Sequence, residues 1–314
     1  MRTRRFGACL AGLVFAGAAA AQDTKVSVGI SGWTGFGPLT LAREAGIFRK
    51  HGLDVTLKKI PQTSRHLALA SNDIQCAATT VETWIVWQAA GVTTRQIFQI
   101  DKSNGADGIA VRAQIGSLKE LKGKSVAASP PGTSPHFLLA WMLAKNGMTT
   151  KDVTIVNLEP GPATDAFIAG QNDAVVTYEP YLSALRARPE AGRILATTLD
   201  YPVVVDTFGC MAGFLDGYPK AAKALADSYF EALEMIAKDP AKAYGIMGAD
   251  VKQSAEAFGQ SAKLLRWQDR AANKTFFASE HAALSKEVAD VLLQAGVIKR
   301  IPDLSQLADP QFIR

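Results

Sequence analysis

The spacing of apolar and polar residues near the N-terminus predicts a strand, a helix and a second strand. Apolar residues alternate with polar ones over residues 25–30 and again over 53–57, as is typical of strands. Between these runs, small and apolar residues recur every third position from Leu39 to Ala45, which predicts one face of a helix. This order favours a parallel strand pair with a crossover helix.

The loop before this helix is the first candidate binding element. It is rich in glycine and contains Trp33 and Thr34. It ends at Pro38, which suits the first helical turn because its missing N–H would have no partner there. Free backbone N–H groups at a helix N-terminus, next to the end of a strand, are where open α/β sheets hold small ligands. We therefore expect Trp33 and Thr34 to contact a ligand.

The remaining pattern predicts an α/β chain with two βα sheets joined by two crossover segments. Strand-like runs and helical patterns alternate up to residue 211. The turn-rich segments 102–107 and 201–206 are the expected crossings. We therefore expect lobe one over residues 22–103 and 206–314, lobe two over 104–205, and a ligand cleft between them. Long helical patterns follow the last strand, at 221–238, 241–247, 252–265 and 280–294.

Two predicted helix starts carry candidate binding residues. Thr79 and Glu82 have the spacing of a capping box, and closing this box is the favoured role of Glu82, with ligand contact as the alternative. Ser134 as N-cap and Pro135 after it predict another helix. There Thr133 and Ser134 offer hydroxyl groups for ligand contact, and capping by Ser134 is the alternative.

The first residues predict a secretory signal peptide over 1–21. Three arginines precede the uncharged apolar run 6–20, and the alanines at its end fit a small-x-small cleavage site. The run is short for a transmembrane helix, so a membrane anchor is the weaker alternative. We expect an exported, periplasmic protein that begins near Gln22.

The charge of the mature chain gives no support to nucleic-acid binding. The sequence has 34 Lys and Arg against 29 Asp and Glu. The predicted signal peptide holds three of the basic residues and none of the acidic ones, so the mature charge is 31 − 29 = +2. This small excess is not clustered, and no nucleic-acid partner is expected.

Two cysteines remain after the signal peptide, Cys76 and Cys210, each in an apolar strand-like run. Buried free thiols are the favoured interpretation, because spacing alone does not establish a pair. A disulfide is the alternative, which the oxidising periplasm permits.

The polar residues do not predict a catalytic or metal site. The four histidines have no metal-ligand spacing with another His or Cys, so neither a metal nor a cofactor is implied. Ser129 and Ser134 lie in a proline-rich loop and not in a nucleophile elbow. We therefore expect a binding protein and not an enzyme.

Three motifs together resemble a known family: GWTGFGPLTLAREAGIFRKHGLDV at 32–55, LKGKSVA at 121–127 and YEPY at 178–181. The sequence resembles the periplasmic substrate-binding proteins of ABC importers for sulfonates, nitrate, taurine and thiamine precursors. The resemblance implies a two-lobed periplasmic binding protein of type II, a monomer that delivers a small-molecule ligand to a membrane permease. Tyr178 and Glu179 fall in the last motif, and a structural role is the alternative to ligand contact for Glu179.

An enzyme on the same fold is the alternative of another class. Pyrimidine synthases of the thiamine pathway are similar to this family. They are cytosolic and carry His-rich and Cys-rich tracts, whereas this sequence has an exported start and lacks such tracts. The receptor is therefore the favoured prediction.

The charge of the expected cleft indicates a nitrogen-rich ligand. Its acidic candidates are Glu82, Asp107, Glu179 and Asp206. Its basic candidates are Arg65 and His66. A sulfonate or nitrate receptor needs convergent donors and a cation, because a buried anion must be paired. Carboxylates beside the rings of Trp33 and Tyr178 suit a small cation or a planar amide. We expect a urea- or guanidine-like ligand, with a sulfonate, taurine or nitrate receptor as the alternative.

Several of these residues have a second expected role. Hinge hydrogen bonds are the alternative for Asp107 and Asp206, which lie at the crossings. Solvated surface is the favoured position of Arg65. Trp84 and Trp87 are expected to divide between the cleft and the core.

Overall fold

The computed structural model describes residues 23–314, so the predicted signal peptide lies outside the described residues. Within this range the alternating apolar runs form eleven strands in two sheets. The strands are β1 (Thr24–Ile30), β2 (Leu53–Lys59), β3 (Cys76–Thr80), β4 (Thr94–Ser103), β5 (Asp107–Val111), β6 (Ser125–Ala128), β7 (Thr154–Asn157), β8 (Ala174–Tyr178), β9 (Arg193–Thr197), β10 (Val205–Met211) and β11 (Leu265–Trp267).

Thirteen α-helices lie between residues 23 and 314. They are α1 (Gly37–Glu44), α2 (Ile47–Lys50), α3 (Gln62–Ala70), α4 (Val81–Ala89), α5 (Ser134–Lys145), α6 (Pro160–Ile168), α7 (Tyr181–Arg186), α8 (Ala212–Gly217), α9 (Pro219–Lys238), α10 (Pro240–Asp250), α11 (Ala255–Ala262), α12 (Arg270–Thr275) and α13 (His281–Gln294). A π-helical turn, Phe276–Glu280, joins the last two. Short 3-10 turns are Thr34–Phe36, Leu118–Leu121, Thr150–Asp152, Leu304–Gln306 and Pro310–Ile313.

The first sheet has the strand order β11-β4-β10-β3-β1-β2. β1 and β2 pair in parallel with Thr24 opposite Leu53, which confirms the predicted parallel pair. Pro38 lies in the first turn of the connecting helix α1. Gly46 follows its last turn with a φ of 73°, a left-handed conformation that ends helices and that glycine adopts without strain. β10 runs antiparallel to both β3 and β4.

The second sheet has the order β7-β6-β8-β5-β9. β6 is parallel to both of its neighbours, whereas β5 is antiparallel to both of its own. The chain passes from the first sheet to the second between Ser103 and Asp107, and returns between Thr197 and Val205. The predicted α/β architecture of two sheets and two crossings is therefore confirmed, while the residue ranges of the two lobes stay a prediction.

One predicted helix, over 252–265, is shorter in the structure. Helix α11 ends at Ala262, and β11 follows as an edge strand with Leu265 opposite Ser103 of β4. Pairing with a neighbouring strand therefore outweighs the local helical pattern, as tertiary contacts commonly do. The indole Nε1 of Trp267 donates to the carbonyl of Gly35 at 2.9 Å, which ties β11 to the loop after β1.

Cys76 and Cys210 form a disulfide, so the favoured interpretation of free thiols is wrong. The two cysteines stand opposite each other on the antiparallel strands β3 and β10. Strand register decides this pairing, and register over a separation of 134 residues cannot be read from cysteine spacing.

Separate apolar clusters lie on the two sheets. Strands β1, β4 and β10 and helices α1 and α9 build the larger one. The second cluster joins the second sheet to Val288, Ala289 and Leu292 of α13 and to Ile85 of α4. Helix α13 therefore packs against residues that belong to both sides of the fold. Among the described helices, none combines the length and the apolarity needed to cross a membrane.

Candidate ligand-binding site

A small cavity lies between the two sheets, where several strands end. About 280 Å³ of atom-free space lies there, part of it open to solvent. The loop after β1, the ends of β3 and β8 and the start of α5 line it. Gln62 and Arg65 from the first turn of α3 complete the wall, together with Asp107 of β5 and Asp206 of β10.

Four of the predicted ligand-binding residues line this cavity: Trp33, Ser134, Tyr178 and Asp206. Thr34, Glu82, Thr133 and Glu179 are buried beside it without lining it. The structure therefore brings one aromatic ring from each sheet, one hydroxyl and one carboxyl group together. Ligand contact remains a prediction for all eight.

Glu179 and Thr133 make local contacts. The carboxylate of Glu179 accepts hydrogen bonds from the backbone N–H of Ser183 and the hydroxyl of Ser261, each at 3.2 Å, and it pairs with Arg186. The hydroxyl of Thr133 donates to the carbonyl of Pro130 at 2.7 Å. Both groups are thus occupied within the protein.

Two capping predictions are wrong in detail. Helix α4 has Thr80 as its N-cap, and Glu82 accepts a hydrogen bond from the Thr80 hydroxyl, so Thr79 and Glu82 form no capping box. The hydroxyl of Thr79 instead accepts from Nε2 of Gln62 at 2.9 Å. Helix α5 has Thr133 as its N-cap because the extended backbone continues to that residue, and Ser134 is the first helical residue.

Trp33 and Tyr178 form the aromatic part of the cavity wall, and a buried carboxylate hydrogen-bonds to Trp33. The rings of Trp33 and Tyr178 lie edge to face, with centroids 5.5 Å apart. The indole Nε1 of Trp33 donates to Oδ2 of Asp101 at 3.2 Å. A Cβ on Gly35 would lie 2.1 Å from that oxygen, so only glycine leaves room for this contact. Sequence reasoning missed Asp101, whose signal was its place near the end of an alternating strand.

Besides Glu179, which pairs with Arg186, four buried carboxyl groups surround the cavity: Glu82, Asp101, Asp107 and Asp206. Burial raises the pKa of Glu82 to about 8 and that of Asp107 to about 7. Burial also raises the pKa of Asp206, and the nearby Asp101, opposite it on β4, raises it further. The pKa of Asp101 is raised by burial, against the opposing effect of the Trp33 hydrogen bond. The site therefore favours either bound protons or a cation.

Arg65 is 1% exposed, so the prediction of a solvated surface position is wrong. Helix α3 directs the side chain inward, and a Cβ on Gly29 would lie 2.9 Å from its Cγ, so that glycine makes room for it. Nε donates to the carbonyl of Ile60 at 3.1 Å and Nη1 to that of Ala78 at 2.6 Å. Nη2 has no hydrogen-bond partner among residues 23–314. Burial lowers the pKa of Arg65 to about 10, which leaves the guanidinium charged.

Gln62, which sequence reasoning also missed, connects the two sides of the cavity. Its Nε2 lies 2.9, 3.3 and 2.7 Å from the hydroxyl oxygens of Thr79, Thr80 and Thr83. Its Oε1 accepts from the backbone N–H of Ser134 at 3.2 Å. A glutamine at the start of a helix carries no local signal for such a contact.

Trp84 and Trp87 do not divide between cleft and core as predicted. Both lie in a separate buried cluster with Leu69 and Ile74, with ring centroids 5.0 Å apart. In the part of the chain that the structure describes, no group of three or more His, Cys, Asp or Glu residues is placed to hold a metal ion.

Solved structures and curated proteins resemble this chain. The alkanesulfonate-binding protein of Xanthomonas axonopodis pv. citri, solved with bound MOPS, aligns with a TM-score of 0.77 and 20% identity, covering 92% of this chain and 99% of that one. The chain accordingly has the two-lobed periplasmic-binding-protein fold of type II. A putative binding protein of Brucella abortus is 28% identical over 206 residues, which are 64% of this chain and 63% of that protein.

The taurine-binding periplasmic protein of Escherichia coli is 26% identical over 228 residues, covering 70% of this chain and 69% of that protein. The alignment with the Brucella protein, by contrast, spans less than two thirds of the length of that protein. The model of the NMT1-like family matches residues 19–247, which is most of the sequence. The chain therefore belongs to the NMT1-like family.

Proposed function

We propose that this chain is the periplasmic solute-binding receptor of an ABC importer, and that its ligand carries a cationic or amide nitrogen, as guanidine and urea do. The observation that supports this most directly is the pair of carboxyl groups, Asp107 and Asp206, in the wall of the cavity between the two sheets. The family and the periplasmic relatives support the receptor role. Delivery to a membrane permease is part of the same proposal.

The charge balance of the wall favours a cation over a simple anion. Asp107 and Asp206 face one guanidinium, that of Arg65, and further carboxyl groups lie behind them. A bound cation would offset the cost of ionising these buried acids, whereas an anion would add to it. The faces of Trp33 and Tyr178 offer cation–π contact to the same ligand.

A small aminosulfonate is the second candidate, and Arg65 is the observation that favours it. Its Nη2 is buried in the cavity wall and has no partner within the described residues. A sulfonate group at Nη2 and an ammonium group at Asp206 would satisfy both charges at once. Taurine has these two groups, and it appears in the name of one relative. Alkanesulfonates and nitrate would satisfy Arg65 alone.

Titration calorimetry with guanidine, urea, taurine, methanesulfonate and nitrate tests the proposal. We expect guanidine or urea to bind more tightly than methanesulfonate or nitrate. Asp206→Asn should weaken guanidine binding by at least about tenfold, because a charged hydrogen bond in a dry site is lost. The exposed Asp54→Asn is the control and should bind as the wild type does. Binding of methanesulfonate without guanidine or urea would overturn the ligand class.

A further inference from the structure

We infer that Gln62 is a specificity-determining residue that excludes oxyanions. Its amide oxygen accepts a hydrogen bond from the backbone N–H of Ser134 at the start of α5, which is the donor that an oxyanion would bind. The inference rests on the proposed function, because it explains how a site in this fold would prefer nitrogen-bearing ligands. It adds a residue to the site that acts by blocking one class of ligand.

The start of α5 is a natural position for an oxyanion. The helix is 12 residues long, and its N-terminus carries unpaired N–H groups and the positive end of the helix dipole. The side chain of the N-cap Thr133 makes no capping hydrogen bond, and its hydroxyl donates to the carbonyl of Pro130. Pro135 removes one further donor. The backbone N–H of Ser134 remains as a donor in the first turn, and Oε1 of Gln62 accepts from it at 3.2 Å.

The orientation of the Gln62 amide is fixed on its other side. Nε2 lies within 3.3 Å of the hydroxyl oxygens of Thr79, Thr80 and Thr83. A flipped amide would bring its NH₂ group against the Ser134 N–H, so the carbonyl must face the helix. The Thr83 hydroxyl also donates to the carbonyl of Gly132, just before α5, at 3.3 Å. Gln62 thus belongs to a network that joins both sides of the cavity.

Other donors would be available to an oxyanion if Gln62 were shorter. The hydroxyl of Ser134 is buried and has no partner in the described range 23–314. Nη2 of Arg65 is also buried without a partner in that range, and Arg65 lines the same cavity. Without the Gln62 carbonyl, these two groups and the Ser134 N–H could all donate to one sulfonate or nitrate.

Two variants separate this role from a general effect on folding. Gln62→Ala frees the Ser134 N–H, whereas Gln62→Glu has the same shape, keeps an acceptor there and adds negative charge. The readout is the ratio of methanesulfonate affinity to guanidine affinity, measured by calorimetry on the full mature chain. We expect Gln62→Ala to raise this ratio by at least about tenfold, the usual effect of one charge-assisted hydrogen bond. Gln62→Glu should leave the ratio unchanged or lower it.

An unchanged ratio in Gln62→Ala would overturn the inference, as would an equal rise in Gln62→Glu. Circular dichroism and thermal unfolding establish that each variant is folded, and Gln62→Ser replaces the alanine variant if alanine does not fold. A wild-type protein that prefers methanesulfonate would refute the proposed ligand class, while the change in ratio still decides the role of Gln62. The two failures are therefore distinguishable.

Discussion

Replacing Glu82 with glutamine should stabilise the protein at neutral pH. Glu82 is fully buried, accepts one hydrogen bond from Thr80, and has no partner for Oε2 among the residues described. Burial raises its pKa from 4.5 to about 8. The folded protein therefore holds a proton that the unfolded chain releases over this range.

The sign and size of the effect follow from this difference. A raised pKa stabilises the folded state fully below the unfolded pKa of 4.5, and that contribution is lost as the pH rises toward about 8. Each pH unit within this window costs about 1.4 kcal/mol. Glu82 should thus remove about 3 kcal/mol from the free energy of unfolding between pH 4.5 and about pH 7. Glutamine has nearly the same shape and does not titrate, so the variant avoids this loss.

Differential scanning calorimetry of thermal unfolding, at a series of pH values across this window, measures the effect. The other buried acids titrate in both proteins, so the difference between the two curves reports the charge of Glu82, including its effect on the pKa of Asp206. We expect the gap in free energy of unfolding to widen steadily with pH, and the exposed Glu44→Gln to show no such gap. A gap of the same size at every pH would refute the argument from burial.

Further outcomes follow from the same site and from the disulfide. A Cβ on Gly35 would lie 2.1 Å from Oδ2 of Asp101, so Gly35→Ala should displace the loop and weaken ligand binding by about tenfold, measured by calorimetry. A cationic ligand favours ionised carboxyl groups, so guanidine affinity should rise as the pH passes about 7, the pKa of Asp107; calorimetry in buffers of different ionisation enthalpy should record proton release. Replacing Cys76 and Cys210 together with alanine should lower the free energy of unfolding by about 2–5 kcal/mol, measured by calorimetry of thermal unfolding.

Each of these outcomes has a control. Gly213 has open space around its position, so Gly213→Ala should leave binding unchanged; equal losses in both glycine variants would contradict the steric argument. A guanidine affinity that is independent of pH would count against a carboxyl contact. Equal unfolding midpoints for the wild type and the double cysteine variant would show that the disulfide adds no stability.

Local pattern was enough to predict the parts of the fold that depend on neighbouring residues. The alternation around 25–30 and 53–57 and the helix between them predicted the parallel pair β1–β2. The same approach failed where distant strands meet. Leu265–Trp267 became a strand only because β4 offers a free edge, and Cys76 met Cys210 only because β3 and β10 align in register.

The site could be predicted only in part, for the same reason. Aromatic and acidic residues next to strand ends were visible in the sequence, and Trp33 and Asp206 line the cavity. The sequence predicts a surface position for Arg65, because a charged helical residue is usually solvated. Its burial depends on the space that Gly29 leaves, and that glycine lies on a different element. Gln62 likewise gains its role from the helix that faces it.

The hydrogen bond between Trp33 and Asp101 also makes the cavity wall an optical reporter. An indole held against a buried carboxylate has an emission that depends on the charge and the water next to it, and a ligand would change both. Trp84 and Trp87 lie together in a separate cluster and would contribute a constant background. The protein could therefore be titrated by its own fluorescence, without a label, and Trp33→Phe would identify the part of the signal that comes from the site.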